Sequence, residues 1–298
     1  MKNAAISIRA RLLNHSRLSG LPFNDVLEQY ALGRFFWRLS QSRDRSRFIL
    51  KGAQLFRLWS SDLHRPTRDI DLLGYGDSDE ASIVRRFTEL LEAGGHVEDG
   101  LVWGPVKTQL IRNEMDYGGV RVLLLARLDG ARIPLQVDVG FGDAVTPNPR
   151  ESVWEGLLGF PSAELLVYPP ETVVAEKLEA AVLLGLRNSR MKDFFDLHWL
   201  SCSMEFQLAT LCNAVRATFE KRGTALPEVI PVALTETFSS EPSKVTQWEA
   251  FLRKSKLPAG GLKEVAVRLQ TFLTPVLFPP LNSELMVWRP GSGWKPVD

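Results

Sequence analysis

The sequence predicts an α+β protein in which a small mixed sheet with flanking helices is followed by a mostly helical C-terminal region. Three observations lead to this prediction. Short apolar stretches alternate with segments of helical period in the first half. Two alternating stretches are joined by Asp129-Gly130, which is typical of a β-hairpin. Beyond the pair Pro169-Pro170, apolar residues recur almost entirely at helical spacing.

The elements of the first half follow from their apolar periods and turn residues. Gly52 provides the turn after the first strand, because glycine adopts conformations that other residues avoid. The predicted elements, in chain order, are a basic amphipathic helix over 1–18, a helix over 23–42 capped by Asn24, a strand over 48–50, a helix over 54–59, a strand over 69–73, a helix over 78–93, and strands over 120–128 and 133–139.

The second half is predicted to be helical. Glu171 begins a strong helix that continues to Leu186, and further helices are expected over 191–201 and 264–273. Residues 279–298 are rich in Pro, Gly, Ser and Trp, and we expect them to form a tail or a late loop. The corresponding domains are 1–168, with the N-terminal helices and the sheet, and 169–298.

Composition restricts the class of protein. Apolar residues make up 45% and charged residues 24% of the 298 residues, which is ordinary for a globular protein. No apolar run approaches the roughly 20 residues that span a bilayer, and arginines interrupt the N-terminus where a secretory signal would need an apolar core. Cys202 and Cys212 have no metal-ligand spacing and form no disulfide framework. We therefore expect a cytoplasmic protein without a membrane partner.

Charge is distributed unevenly along the chain. Residues 1–68 contain 13 Lys/Arg against 4 Asp/Glu, a balance of +9, whereas the remaining residues contain 23 against 31, a balance of −8. A basic segment of this kind is typical of contact with a polyanion such as RNA. A solvated helix face paired with the acidic remainder explains the same numbers, and the sequence leaves both interpretations open.

Three aspartates are the candidate catalytic residues. Asp69 and Asp71 lie one residue apart in a predicted strand, so their side chains share one face. Asp138 lies on the polar face of another strand. Three carboxylates on adjacent strands suit Mg²⁺, which binds carboxylates together with substrate phosphates, so the pattern indicates nucleotidyl transfer. Alternatively, Asp71 is a turn residue before Gly74, and Asp138 is a solvated strand residue.

A candidate phosphate-binding turn precedes the aspartates. Lys51, Gly52 and Ala53 follow the first predicted strand. Glycine at the entry to a helix lets backbone amides approach a phosphate closely, and a helix N-terminus adds partial positive charge. The turn and the aspartates together favour a nucleotide as substrate.

Two polar clusters in the helical half complete the list of candidates. Lys177 lies beside the apolar stripe of its helix, either reaching inward or extending its ammonium into water. In the second cluster, Asp193 and Asp196 share a face, and Lys192 is expected to pair with Asp196 at a spacing of four. The alternative for this second cluster is a surface ion pair with a helix cap.

Together these motifs resemble the AbiEii/AbiGii nucleotidyltransferase-like toxins, which include the MenT-type toxins. The resemblance covers about residues 22 to 275, and Ala53 departs from it, since many relatives have a second glycine there. The motifs, in the family's order, are Lys51-Gly52-Ala53, Arg65-x-Thr67-x-Asp69-Ile-Asp71, Val137-Asp138, Val174-Ala-Glu176-Lys177-Leu178-Glu179-Ala180 and Lys192-Asp193-Phe-Phe-Asp196-Leu197.

The resemblance implies a DNA-polymerase-β-like nucleotidyltransferase core with a helical C-terminal domain. It also implies a toxin that is encoded beside an antitoxin partner. Relatives of the MenT type add nucleotides to the 3′ end of tRNA and so block translation. By motif match, Asp69 and Asp71 become metal ligands, and Thr67 corresponds to the hydroxyl before the first carboxylate. Lys177 and Asp193 match polar active-site residues.

The leading hypothesis is transfer of a nucleoside monophosphate from an NTP to RNA, at the tRNA acceptor end, with Mg²⁺ or Mn²⁺. In this hypothesis the metal-binding group is Asp69, Asp71 and Asp138, and the nucleotide-binding group is Lys51, Gly52, Ala53, Thr67, Arg190 and Lys192. Lys177 offsets triphosphate charge, and Asp193 orients Lys177 across the domain cleft. The alternatives are transfer to a protein or small molecule, and a nucleotide- or antitoxin-binding module without catalysis.

Overall fold

The computed structural model describes residues 2–60, 67–93, 98–111, 118–281 and 283–297. The chain divides into two units, each with its own core. The first comprises residues 1–142 and 150–167, and the second comprises residues 143–149 and 168–298. The chain therefore enters the second unit briefly before it completes the first.

The first unit combines helices with a mixed sheet. Its helices are α1 (Lys2–Ser19), α2 (Phe23–Gln41), α3 (Leu55–Trp59) and α4 (Glu80–Glu92). Its strands are β1 (Phe48–Lys51), β2 (Asp69–Gly74), β3 (Val102–Trp103), β4 (Lys107–Ile111), β5 (Gly119–Leu128), β6 (Ala131–Phe141), β7 (Arg150–Trp154) and β8 (Ala163–Val167).

The strands of the first unit form one sheet in the order β3-β5-β6-β2-β1-β8-β7, and β4 also pairs with β5. The pairs β2/β6 and β1/β8 are parallel, and the other pairs are antiparallel. The sheet is therefore mixed, as the sequence predicts. Four of its strands, β3, β4, β7 and β8, were not predicted, because the first has two residues and the others lack a strong apolar alternation.

The two faces of the central strands differ in polarity. In β6, Val137 and Val139 are buried, whereas the alternate residues Gln136 and Asp138 are half-buried. Helix α2 packs against β6 and β8, and α4 packs against β4 and β5. Burial of apolar side chains beneath these helices stabilises the unit by about 25 cal/mol per Å² of apolar surface. The alternate residues of β2 and β6 project from the opposite face.

The start of α2 differs from the prediction. Asn24 lies inside the first turn and is not the cap, so that prediction is wrong. The residue before the helix is Pro22, whose carbonyl accepts hydrogen bonds from the amides of Asp25 and Val26 at 3.0 and 3.2 Å. Proline fixes φ near the value that this position needs, so the chain enters the helix without a side-chain cap.

Several basic residues of the N-terminal segment are paired within the first unit. Arg34 and Arg38 of α2 are buried, and each contacts the buried carboxylate of Asp99, at 3.1 and 2.6 Å. Nearer the surface, Arg45 contacts Glu151 at 2.8 Å. These pairs favour the interpretation that acidic residues elsewhere in the chain offset part of the basic excess.

The second unit is mostly helical. Its helices are α5 (Pro170–Leu184), α6 (Met191–Ser203), α7 (Leu208–Arg222), α8 (Glu236–Ser239), α9 (Pro242–Ser255) and α10 (Leu262–Leu277), and its strands are β9 (Phe206–Gln207), β10 (Met286–Arg289) and β11 (Gly293–Pro296). Helix α5 packs against α7, and α10 packs against α6 and α7. Among the described residues, no helix combines the length and the apolar character needed to cross a membrane.

Most described residues of the C-terminal segment form secondary structure, a 3₁₀ turn over Ser283–Leu285 and the strands β10 and β11, so the prediction of a tail or loop over 279–298 is wrong. Strands β10 and β11 form a hairpin, and β10 also pairs with β9. Trp288 is 2% exposed, and its indole N–H donates to the carbonyl of Ser201 at 2.7 Å. Burial of this aromatic side chain holds the hairpin on the helical core, although Pro and Gly gave the segment the composition of a loop.

Candidate active site

A row of charged residues crosses four adjacent strands of the first unit. Lys51 of β1 pairs with Asp71 of β2, Asp71 pairs with Asp138 of β6, and Asp138 pairs with Arg121 of β5. Directly paired residues project from the same face of a sheet. The row therefore presents two carboxylates in the middle and one cation at each end.

Asp69 extends the carboxylate group along β2. It lies two residues before Asp71, pairs with Gln136 of β6, and is exposed. Both aspartates lie inside a strand that continues to Gly74. The structure thus brings Asp69, Asp71 and Asp138 to one face, as the sequence predicts, and the alternative in which Asp71 is a turn residue is wrong.

Arg121 is part of this row, although none of the sequence motifs indicated it. Its Nε and Nη2 atoms donate to the two carboxylate oxygens of Asp138, each at 2.8 Å. The hydrogen bond to Asp138 holds the pKa of Arg121 above its ordinary value against the opposing effect of burial, and the charges of Asp138, Asp69 and Asp71 act in the same direction. Arg121 therefore stays charged and offsets part of the negative charge on this face.

The signal that identifies Arg121 is present in the sequence. The turn Asp129-Gly130 joins β5 to β6, with φ of 43° and 81° at its two residues. A two-residue hairpin fixes the register of its strands. Counting outward from the turn pairs Arg121 with Asp138, as is observed.

The donor set fits a divalent cation in part. Asp69 and Asp71 supply carboxylates on one face, which are the ligands that Mg²⁺ takes together with substrate phosphates. Asp138 offers the same chemistry, but both of its oxygens are bonded to Arg121. Within the described ranges, no three His, Cys, Asp or Glu side chains are arranged as a ready metal cluster.

Gly52 is required by its contact with Asp71. Its φ is +72°, and a Cβ placed on it would lie 2.1 Å from Oδ2 of Asp71. Only glycine lets this turn pass so close to the carboxylate. Gly52 begins a 3₁₀ turn that continues into the five-residue helix α3, and Ala53 is buried within the turn. Because α3 is so short, the expected helix N-terminus contributes little, and the amides around Gly52 remain the candidate phosphate donors.

Of the motif residues that precede β2, the structure describes Thr67. The hydroxyl of Thr67 lies 3.5 Å from the backbone carbonyl of Asp69, which is at the outer limit of a hydrogen bond. Arg65, which belongs to the same motif, lies outside the described residues.

Lys177 of α5 is buried between two carboxylates of α6. Its Nζ lies 2.6 Å from Oδ1 of Asp193 and 2.8 Å from Oδ2 of Asp196, and its side chain is 12% exposed. Burial alone would lower the pKa of Lys177, but the two aspartates hold the pKa above its ordinary value. Burial likewise acts to raise the pKa of Asp193, and Lys177 with Arg190 outweighs it, so the pKa is lowered. The inward-reaching interpretation is therefore correct, and the snorkelling one is wrong.

The two basic residues beside this cluster differ in their contacts. Arg190 contacts Asp193 at 2.5 Å, and about half of its side chain is exposed. Lys192 is exposed, and Asp196 contacts Lys177 instead, so the predicted pair of Lys192 with Asp196 is wrong. The helix α6 turns Asp196 into the core, away from the exposed side of Lys192.

The two glutamates that flank Lys177 in its motif form a second ion cluster. Arg222 contacts Glu176 at 3.2 Å, Glu179 at 2.9 Å and Asp143 at 3.0 Å. Glu179 is 1% exposed and also accepts a hydrogen bond from Thr224 at 2.6 Å. These charges stabilise the packing of α5 against α7 and fix the segment 143–149 on the second unit, so this part of the motif has a structural role.

Comparisons with known proteins agree with the fold and the motifs. A sequence model described as nucleotidyl transferase AbiEii toxin, type IV TA system, matches residues 34–266. The chain therefore belongs to the AbiEii nucleotidyl transferase toxin family. The family defines the class of protein, a nucleotidyltransferase of a toxin–antitoxin system, and it implies an antitoxin partner and a nucleotide substrate.

Two solved structures from Helicobacter pylori are similar to the chain. JHP933 is 16% identical, and the match covers 90% of this chain and 92% of that one with a TM-score of 0.50. A protein described as a candidate nucleotidyltransferase is 18% identical, over 85% of this chain and 94% of that one, with a TM-score of 0.48. At this identity the first match concerns the fold alone, and the predicted α+β fold class is confirmed. None of the curated proteins compared with the chain matches it.

Proposed function

We propose that this protein transfers a nucleoside monophosphate from an NTP to the 3′ end of RNA, specifically of tRNA, and thereby blocks translation. The observation that carries the proposal is the group of Asp69, Asp71 and Asp138 on one face of the sheet, beside a glycine turn that contacts Asp71. Membership in a toxin family of nucleotidyltransferases supports the same chemistry. The RNA acceptor follows from the resemblance to the MenT-type toxins.

A divalent cation, Mg²⁺ or Mn²⁺, would be held by Asp69 and Asp71 and, once Arg121 releases it, by Asp138. Such an ion neutralises phosphate charge and lowers the pKa of an attacking hydroxyl. The carboxylates act together because they project from one face at neighbouring positions, which only strands of matched register provide. Asp138 is also suited to orient an acceptor hydroxyl.

The chain's own groups would bind the triphosphate at the turn beside Asp71. The left-handed conformation of Gly52 brings the backbone of residues 52 and 53 against the carboxylate face, so their amides can donate to phosphate oxygens. Lys51 lies in the same row as Asp71 and provides a cation at this end. Thr67, two residues before Asp69, is proposed as a further nucleotide-binding residue.

The proposed roles in the second unit follow from charge. Lys177 carries a positive charge that Asp193 and Asp196 already offset, so we assign it to holding α5 and α6 in place, with Asp193 as its orienting partner. Arg190 and Lys192 are exposed cations beside this cluster, and they are suited to bind phosphate groups of the nucleotide or the RNA.

The test separates the acceptor classes. The protein is incubated with each of the four α-labelled NTPs and Mg²⁺, in the presence of deproteinised tRNA, of a protein extract freed of RNA, or of the protein alone. We expect label on tRNA and its loss after 3′-terminal nuclease digestion. Label that appears on protein and not on tRNA would replace the RNA proposal with protein modification. Growth inhibition that persists in an Asp69→Ala, Asp71→Ala double variant would favour a binding module without catalysis.

A further inference from the structure

The pairing of Arg121 with Asp138 has a geometry that leaves no carboxylate oxygen of Asp138 unused. Each oxygen accepts one N–H of the guanidinium at 2.8 Å, and the amide of Gln136 approaches Oδ2 at 3.4 Å. Paired guanidinium–carboxylate bonds of this kind are among the strongest polar contacts in proteins. The guanidinium takes one lone pair of each oxygen, so a metal ion at Asp138 must either displace a guanidinium bond or bind close to the positive charge of Arg121.

The charge around the pair explains why such an arginine is present. Asp69, Asp71 and Asp138 bring three negative charges to neighbouring positions on one face, and like charges at this spacing repel. Arg121 lies at one end of the row, opposite to Lys51 at the other end. A cation that neutralises Asp138 relieves the repulsion without any metal.

The exposure of Arg121 allows it to leave. Its side chain is 36% exposed, whereas that of Asp138 is 20% exposed. The long, flexible arginine can thus turn into solvent, while the short side chain of Asp138 stays on the strand. The pair is strong enough to form and accessible enough to open.

We propose that Arg121 and the divalent cation compete for Asp138, so that the site with three carboxylates forms only when Arg121 releases it. This inference rests on the proposed function for the identity of the cation site. In the absence of nucleotide, Arg121 keeps the affinity for metal low. When a nucleotide arrives with its bound metal ion, the positive charge of that ion takes the place of the guanidinium charge beside Asp138.

The test measures metal affinity without nucleotide, by titrating Mn²⁺ and following the free ion by electron paramagnetic resonance. Arg121→Gln should bind Mn²⁺ at least tenfold more tightly than the wild type. Arg127→Gln is the matched control, because Arg127 lies on the same face of the same strand and pairs with Arg132 instead of an aspartate; its affinity should equal that of the wild type. Adding Asp138→Asn to Arg121→Gln should remove the gain.

Three results would overturn the proposal: equal affinity in wild type and Arg121→Gln, an equal gain in Arg127→Gln, or a gain that persists without Asp138. Thermal melting shows whether Arg121→Gln folds. If it does not, Arg121→Lys replaces it, because lysine keeps the charge but loses the paired bonds. Its affinity for Mn²⁺ should be higher than that of the wild type and lower than the tenfold gain expected for Arg121→Gln. The metal titration does not measure transfer. The competition for Asp138 can therefore be confirmed even if the protein transfers no nucleotide, and it can be disproved even if the protein does.

Discussion

Gly52 and Asp71 illustrate how one residue can depend on another for its identity. The turn at Gly52 passes so near the carboxylate that even a methyl group would overlap it. The glycine is therefore needed for two reasons, its positive φ and its lack of a side chain. The sequence predicted a turn at Gly52 from the conformational freedom of glycine. The need for a residue without a side chain becomes visible only when β1 is paired with β2.

The substitution Gly52→Ala should abolish transfer. The added methyl group must displace the Asp71 carboxylate, which it would approach to 2.1 Å. Gly130→Ala is the matched control, since Gly130 also has a positive φ, of +81°, but no heavy atom lies within 4 Å of the added carbon. Both variants should lose about 1–2 kcal/mol of stability to the left-handed conformation, and only the first should lose activity. Transfer at the wild-type rate in Gly52→Ala would contradict the contact.

The pair of Lys177 with Asp193 should make stability depend on pH. The folded pKa of Asp193 is below its ordinary value of 3.8, so its contribution is present above that value and is lost as pH falls through the folded pKa. The folded pKa of Lys177 is above 10.5, so its contribution is present below that value and is lost as pH rises through the folded pKa. The pair therefore stabilises the protein at neutral pH.

Asp193→Asn should reduce the unfolding free energy at pH 7 by about 1.5–3 kcal/mol, as expected for hydrogen bonds to charged groups. The difference from the wild type should shrink as pH falls below 4, where the wild-type carboxylate also becomes neutral. Denaturant unfolding at several pH values measures this. As a control, Glu249→Gln removes a carboxylate of an exposed pair and should change little. A difference that stays constant down to pH 2 would contradict the lowered pKa.

Helices and strands with a strong apolar period were predicted well. Strands that are held in place mainly by contacts with other elements, and that show little apolar period of their own, were not. Strands β2, β5 and β6 alternate clearly because one face of each is buried. The sequence of β7, Arg-Glu-Ser-Val-Trp, shows little alternation because it lies at the sheet edge. Strands β10 and β11 were missed because proline and glycine dominate the segment, and only the burial of Trp288 reveals its role.

Trp288 should be essential for the stability of the second unit. It is 2% exposed, contacts the ring of Phe272 at 4.7 Å between centroids, and donates a hydrogen bond to Ser201. Trp288→Ala should cost about 3–5 kcal/mol of unfolding free energy. Leu281→Ala, at a fully exposed residue, serves as control and should be neutral. A loss below about 1 kcal/mol in Trp288→Ala would mean that the hairpin is peripheral; denaturant unfolding measures both.

At the scale of the whole molecule, the order of short motifs carried more information than charge. The basic excess of residues 1–68 suggested a polyanion, but Arg34 and Arg38 in it are buried on Asp99. The motifs that predicted the family lie in both units, and the family match over residues 34–266 includes both. The part of the site that the motifs did not predict is the row from Lys51 to Arg121. This row depends on the register of four paired strands, which a single motif does not contain.

The central claim is that the carboxylate face of β2 performs nucleotidyl transfer. Its most direct test is the rate at which label passes from an α-labelled NTP to tRNA in Mg²⁺, compared between wild type, Asp71→Asn and Asp129→Asn. The two variants carry the same substitution in the same unit, and asparagine tolerates the positive φ of 43° at residue 129. We predict transfer by the wild type and Asp129→Asn, and none by Asp71→Asn with an unchanged melting temperature. Transfer by Asp71→Asn at the wild-type rate would contradict the claim.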